Sequence, residues 1–321
     1  MDLPERLEKR LARTMMGAVA AHRLVEPGDR ILVAVSGGKD SYTMLDLLWQ
    51  ARAKAPFHFD MVAVHLDQRQ PGYDGAPLEA WLAKLGAPFE ILREDTYSVV
   101  MDIVAEDGRA MCAPCSRLRR GILYKAAERL GCNKLALGHH RDDALETLLM
   151  NLFYGGRLQA MPAKFTTDEG RLEVIRPLIE CAEEDLEAHA ANKAYPIVPC
   201  RLCGSEPDGK REAMRRLVDA LEAETPDVRS VMLRAMQNAR PTHRRSLASS
   251  SSPSPGRAPP TARPSLFAVC SLSGPVVAFG PWLGEPLGPR ALCRRRAGAS
   301  PSRKLPAARV VTPEVAADPS V

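Results

Sequence analysis

"ILVAVSGGKDSYTML", residues 31–45, is the stretch on which the fold turns. Five apolar residues, 31–35, run into the adjacent glycines Gly37 and Gly38. Lys39 and Asp40 follow, between Ser36 and Ser41, and a helical pattern begins at once. A strand that hands a glycine turn to a helix N-terminus suits an anion, because the first N–H groups are unsatisfied and the helix dipole is positive there. Lys39 adds a charge, and Ser36 and Ser41 add hydroxyl donors. The Walker pattern G-x-x-x-x-G-K-S/T fails, since Val33 stands at its first glycine and Asp40 at its hydroxyl position. The dinucleotide pattern G-x-G-x-x-G fails as well, because the glycines are adjacent. A tight turn without a ligand is the plainer alternative. Two glycines, two serines and a lysine at one helix start weigh against it.

Outward from that turn, strand and helix alternate. Leu7, Leu11, Met15 and Val19 recur at four-residue steps and predict a helix over 5–24. The strand at 31–35 leads to a helix over about 40–53. "MVAVHLD" (61–67) reads as a second buried strand, followed by a helix at 76–86 and a strand at 89–92. The run 116–131 is helical and closes on Gly131. "KLALG" (134–138) is a fourth strand and 141–156 a helix that ends in glycines. Segments 181–193, 208–223 and 227–239 also read as helices. The alternation predicts an α/β fold, a parallel sheet with helices on both faces.

The chain's net charge of +5 is misleading. From Ser246 onward there are nine Lys/Arg against three Asp/Glu, so residues 1–245 are close to neutral. A globally basic RNA binder is excluded for the main body, and a nucleic-acid surface there would be a local patch. That final stretch also holds 13 of the 27 prolines and shows no lasting helix or strand period, which predicts disorder. Its Arg/Pro/Ala/Ser bias is also that of GC-rich DNA read out of frame, which resequencing around codon 246 would test. No run of eighteen apolar residues and no apolar signal core occur, so a cytoplasmic protein without a membrane span is expected.

Eight cysteines stand at 112, 115, 132, 181, 200, 203, 270 and 293, and four of them form "CAPC" and "CRLC". Without a signal peptide these pairs read as metal or redox chemistry. Four sulfurs suit zinc, three suit a [4Fe–4S] cluster with one iron left open, and a redox disulfide is a third option. Spacing alone does not separate them. Cys132 and Cys181 read as buried small apolar residues. Arg117, Arg119, Arg120 and Lys125 follow the first pair, either as a solvated helix face or as a phosphate-tracking patch. "GHHRDDALET" begins where the fourth strand ends. This puts His139, His140 and Asp143 at the carboxyl edge of the sheet, where open α/β sheets bind ligands. For Asp142 and Asp143 a favourable charge at a helix N-terminus is the plainer role.

S-G-G-x-D-S is the signature of the PP-loop ATP pyrophosphatases, and Ser36–Ser41 matches it at every fixed position. The resemblance implies an adenine nucleotide alpha hydrolase-like fold whose loop grips the pyrophosphate that leaves ATP. Asp40 would serve magnesium or loop geometry. "SGGKDS", "LDQRQPGY" (66–73), "MCAPCSRLRRGILYKAA" (111–127), "LGHHRDDALETLLMNLFYGG" (137–156), "RPLIE" (176–180) and "IVPCRLCGS" (197–205) together resemble the tRNA 2-thiocytidine synthetase family in order and spacing. The likeness covers residues 5–245 and fades in 236–245.

It implies ATP-dependent thiolation of cytidine 32 in the anticodon loop, through an adenylated C2 oxygen and sulfur delivered from a [4Fe–4S] cluster. Carried over, the cluster ligands are Cys112, Cys115 and Cys200, with Cys203 as runner-up. Catalytic weight falls on these cysteines and Asp40. ATP would be held by Ser36, Gly37, Gly38, Lys39, Asp40, Ser41, Asp67, Gly138, His139 and Asp143, with Mg²⁺. Implied partners are tRNA, a cysteine desulfurase or other sulfur donor, and in a homodimer a second copy. The implied organisation is an N-terminal helix (1–25), a PP-loop domain with the iron–sulfur site (26–205), C-terminal helices (206–245) and the tail (246–321). A related uridine thiolase, or a zinc-stabilised RNA-binding protein with a regulatory ATP site, are the alternatives.

Overall fold

A computed structural model describes residues 2–107, 112–168, 170–198 and 209–238. Expectations for the tail, Cys200 and Cys203 fall outside these residues. Helix α1 spans Leu3–Ala21, with the Asp2 side chain accepting from the Glu5 N–H at 2.9 Å. β1 is Arg30–Val35, α2 Lys39–Arg52, β2 Asp60–Asp67, α3 Ala76–Leu85 and β3 Phe89–Arg93. α4 (Thr96–Asp107) and α5 (Cys112–Arg129) come next, then β4 (Lys134–Ala136), α6 (Arg141–Gly155), β5 (Lys164–Thr166) and β6 (Glu173–Ile175). α7 (Glu183–Lys193), α8 (Lys210–Glu224) and α9 (Val228–Gln237) complete the described chain. Among the described residues, no helix is long and apolar enough to cross a membrane.

The six strands lie in the order β3-β2-β1-β4-β6-β5. Every neighbouring pair is parallel except β5 with β6. The parallel reading therefore needs one correction, an antiparallel edge strand. The period of two sorts the core. Ile31, Val33, Met61, Ala63, Ala136 and Ile175 face α1, α2, α3 and α7. Leu32, Val62, Val64, Leu135 and Val174 face α5. Helices thus cover both faces, and near-continuous burial along β1 and β2 follows. α1 stops at Ala21, short of the predicted 24. Its Leu7, Leu11, Met15 and Val19 join the same core as β1, so it is part of the sheet's own cover. Truncating Leu11 or Met15 to Ala costs about 2–5 kcal/mol by the usual cavity penalty.

Chain order reverses between β1 and β4, since β1 leads sideways to β2 and β4 to β6. The loops leaving these two strands splay apart and leave a crevice at their carboxyl ends. Those loops are Ser36–Gly38 and Leu137–His140.

The candidate nucleotide crevice

Gly37 has φ +86°, in the left-handed region that favours glycine, and a Cβ there would meet Val198 Cβ at 3.2 Å. Val198 N–H donates to the Gly37 carbonyl at 2.9 Å, so the segment before "CRLC" is fastened to the turn. Gly38 caps α2 without any side-chain hydrogen bond, which leaves the helix start suited to an anion. The serines act differently from the expected free donors. The Ser41 hydroxyl donates to Gly38 O at 2.8 Å and accepts the Ser36 N–H at 3.1 Å. Ser36 Oγ accepts the Gly38 N–H at 3.3 Å and lies 3.2 Å from Ser41 Oγ. They brace the loop.

Lys39 Nζ lies 2.9 Å from Glu183, 3.5 Å from Glu187 and 3.7 Å from Asp40. Burial opposes its charge, but the Glu183 hydrogen bond and the surrounding carboxylates outweigh that and raise its pKa. A cavity of about 210 Å³ is bordered by Glu183, Glu187 and Arg215. Arg215 Nη2, 3.4 Å from Glu183 Oε2, stands ready to keep that carboxylate paired. Burial, with Asp143 and Glu183 nearby, raises the Asp40 pKa despite His140 and Lys39. Asp40 Oδ1 is buried without a hydrogen-bond partner. An orphaned carboxylate oxygen beside a phosphate loop fits Mg²⁺, which takes one or two carboxylates and completes its shell with phosphate and water. Among the described residues no group of three His, Cys, Asp or Glu side chains forms a self-sufficient metal site.

The second loop closes on the first. A Cβ at Gly138 would stand 3.3 Å from both Asp40 C and Ser41 N, so any side chain there would press on the first loop's backbone, which would have to give by a few tenths of an ångström. His140 caps α6 in a capping box: its Nδ1 accepts the Asp143 N–H at 3.5 Å, and Asp143 Oδ2 accepts the His140 N–H at 3.1 Å. Burial works against the Asp143 charge. His140, His139 and Arg211 more than offset it and lower its pKa. Arg211 donates to Asp143 Oδ1 at 2.6 Å. Asp142 is structural: it accepts the Glu183 N–H that opens α7 and pairs with Arg141 and Arg229. The His139 imidazole is pushed down to about 4 by burial, chiefly, and its Nδ1 has no partner.

One strand away, Asp67 ends β2 and accepts the Arg69 N–H at 2.8 Å. Its carboxylate braces a turn at the carboxyl end of β2. His65, in mid-strand, bonds Val35 O at 2.7 Å and Tyr73 OH at 2.5 Å, joining β1, β2 and the 68–75 segment. Cys115 is buried and donates its S–H to Gln68 Oε1 at 3.2 Å, just past the carboxyl end of β2. Cys112 opens α5, which starts four residues before the expected Ser116 and takes "CAPC" into its first turn. Arg117, Arg120 and Lys125 are exposed on α5, and Arg119 is half-buried.

The structure therefore gathers the Ser36–Ser41 loop, Gly138, His139 and Asp143, with Cys115 at the same sheet edge. Sequence reading missed Glu183, Arg211, Arg215, Gln68 and His65. Of these, only His65 left a trace, a polar residue inside an apolar run.

Comparison with known proteins adds to this. Residues 6–198 match the PP-loop domain family. The chain is 51% identical over 238 residues to the tRNA-cytidine(32) 2-sulfurtransferase of Aeromonas salmonicida (strain A449), covering 74% of this chain and 78% of that protein. Its identity to the protein of the same name from Psychromonas ingrahamii (strain DSM 17664 / CCUG 51855 / 37) is 48% over 239 residues, or 74% and 77% of the two chains. Among solved structures, the U34-tRNA thiolase NcsA from Methanococcus maripaludis, with its [4Fe-4S] cluster, superposes with a TM-score of 0.57 at 21% identity, over 73% of this chain and 78% of that one. That likeness shows the PP-loop fold.

Proposed function

This chain belongs to the tRNA-cytidine(32) 2-sulfurtransferase family of PP-loop proteins, and from that premise we propose that it replaces the C2 oxygen of cytidine 32 in tRNA by sulfur at the expense of ATP. The observation that carries this reading is a loop of family sequence at the sheet's reversal point, with an uncapped helix start, a lysine and an orphaned carboxylate around it.

In this reading the C2 oxygen attacks the α-phosphate, a P–O bond forms, and the bond to pyrophosphate breaks. Lys39, released by Glu183, and the first N–H groups of α2 neutralise the departing pyrophosphate. Asp40 holds Mg²⁺. Gly138, His139 and Asp143 line the nucleotide side, with Asp67 toward the base and ribose. Sulfide then attacks C2 and AMP leaves with the C–O electrons. The residues fit a [4Fe–4S] cluster in donor chemistry. Cys115 sits at the catalytic edge, and Cys200 follows, by two residues, the Val198 that is bonded to Gly37. Cys112, Cys115 and Cys200 would hold it, with Cys203 as alternate. When bound, the cluster would supply an iron without a protein ligand at which sulfide can be presented. Arg117, Arg119, Arg120 and Lys125 would track tRNA phosphates. A cysteine desulfurase or similar donor, a cytoplasmic location and a homodimeric state complete the proposal.

Mass spectrometry of tRNA nucleosides from cells lacking the gene tests it. Loss of 2-thiocytidine, restored by the wild-type gene and not by Cys115→Ala, is expected. Persistence of 2-thiocytidine refutes the reading, and loss of a 2-thiouridine instead points to the uridine thiolase.

A further inference from the structure

"RPLIE" has no role in the reaction so far, although Arg176 lies beside the crevice. It follows β6 directly, and the Ile175 carbonyl before it accepts the Leu137 N–H of the second loop at 2.9 Å. Only 8% of Arg176 is exposed. Its Nη1 donates to Pro162 O at 2.8 Å, and the guanidinium lies 5.3 Å from the centre of the Phe165 ring. Its Nε is buried with no hydrogen-bond partner, and it forms no ion pair with any described carboxylate. Burial pulls its pKa to about 10, where it is still a cation near neutrality. A buried guanidinium has five donors and no means of shedding its proton, so it calls for an acceptor. His139, whose Nδ1 is also buried and unpartnered, lies close enough to feel its charge. The β1–α2 loop has its own cation in Lys39. The crevice therefore has cationic groups on both of its flanks.

We propose that Arg176, with His139 beside it, seats the α-phosphate of the nucleotide, while the β1–α2 loop seats the pyrophosphate. This rests on the function proposed above. The chemistry suits a fixed cation. As the Pα–O–Pβ bond breaks, its electron pair leaves with pyrophosphate, and the α-phosphate stays as a monoanionic diester to the substrate. When sulfide displaces it, the C2–O electron pair passes to AMP and its phosphate becomes a dianion. The charge facing Arg176 thus grows during the second step, where a preorganised donor contributes most. A guanidinium also offers paired N–H groups matched to phosphate oxygens. A backbone phosphate of tRNA has the same chemistry and is the other source to be separated.

Calorimetric titration of the full-length chain with AMP, pyrophosphate and tRNA in turn tests this. Arg176→Gln should weaken AMP about tenfold, as expected for losing a charge-assisted donor. Pyrophosphate and tRNA affinities should stay within about twofold. Arg176→Lys, which keeps the charge but loses the fork, should recover part of the AMP affinity. It carries the test alone if the glutamine variant does not fold. Unchanged AMP binding overturns the proposal. So does an equal loss of pyrophosphate, which would mean a distorted loop, or a loss of tRNA with AMP intact, which would mean an RNA phosphate. Wild-type protein that binds neither AMP nor pyrophosphate removes the functional reading itself.

Discussion

The sheet buries charge at both of its edges and treats it in opposite ways. At the amino edge Lys134 has a side chain only 4% exposed, and it is answered completely. Asp29 lies 2.9 Å from its Nζ, Glu173 3.2 Å and Glu26 3.6 Å, and the Leu24 carbonyl accepts a hydrogen bond at 3.0 Å. Asn133 closes the group, donating to Asp29 at 2.7 Å and accepting the Arg30 N–H at 2.8 Å. At the carboxyl edge Asp40 Oδ1, His139 Nδ1 and Arg176 Nε are buried without a hydrogen-bond partner, and the nearest cation to Asp40 Oδ1, Lys39 Nζ, stands 3.7 Å away. Each such group costs stability. One edge spends its polar groups on holding the chain together. The other keeps them poised for groups that come and go.

Substitutions can break this contrast. The largest effect should come from Lys134→Ala, which takes the cation from the buried Asp29 and one partner each from Glu26 and Glu173: unfolding free energy falls by about 3–5 kcal/mol in urea titration, with ATP affinity of the folded fraction unchanged. A loss of ATP affinity with stability intact would invert the assignment. Lys39→Ala should do the reverse. Thiolation turnover falls about 10²–10³-fold, equivalent to roughly 3–4 kcal/mol, while the melting temperature moves little. Third is pH. The folded-state pKa of His139, about 4, lies below its ordinary 6.5, so the folded protein binds fewer protons and acid favours unfolding. Stability is full above 6.5 and falls toward pH 4 by up to about 1.4 kcal/mol per unit. His139→Asn should flatten that slope, and an unaltered slope would place the penalty elsewhere. Smallest is Gly138→Ala, in which a methyl pressed on the Asp40–Ser41 backbone should cost about 1–3 kcal/mol of stability and weaken ATP. A variant with normal nucleotide affinity would show that the two loops are not interlocked.

Much of this was legible in residues 31–45. Five apolar residues, two glycines and a charged helix start determine a strand, a turn and an anion-facing helix by local physics. The alternation that followed was readable for the same reason. β5 and β6 escaped because their three residues each, "KFT" and "EVI", sit among polar residues, whereas the equally short β4 lies in the apolar run "LAL", and with them went the antiparallel edge. α4 was overlooked because "TYSVVMDIVAED" has a weak helical stripe. The start of α5 was misplaced because Cys112 and Pro114 suggested a loop, although proline is well tolerated in a helix's first turn. The ionic partners were out of reach on other grounds. Glu183 lies 144 residues from Lys39, and Arg211 lies 68 from Asp143. No local pattern encodes such pairings, which exist only after the sheet has brought its edge together.

The bond between the Val198 N–H and the Gly37 carbonyl joins two parts of the chain that sequence separates widely. Gly37 cannot shift to admit or release a phosphate without tugging on that amide. Linkage is reciprocal: whatever free energy the phosphate gains or loses through the bond, the tethered segment gains or loses in equal measure. The glycine turn thus works as a fulcrum between the nucleotide and the stretch of chain that leads toward the second pair of cysteines.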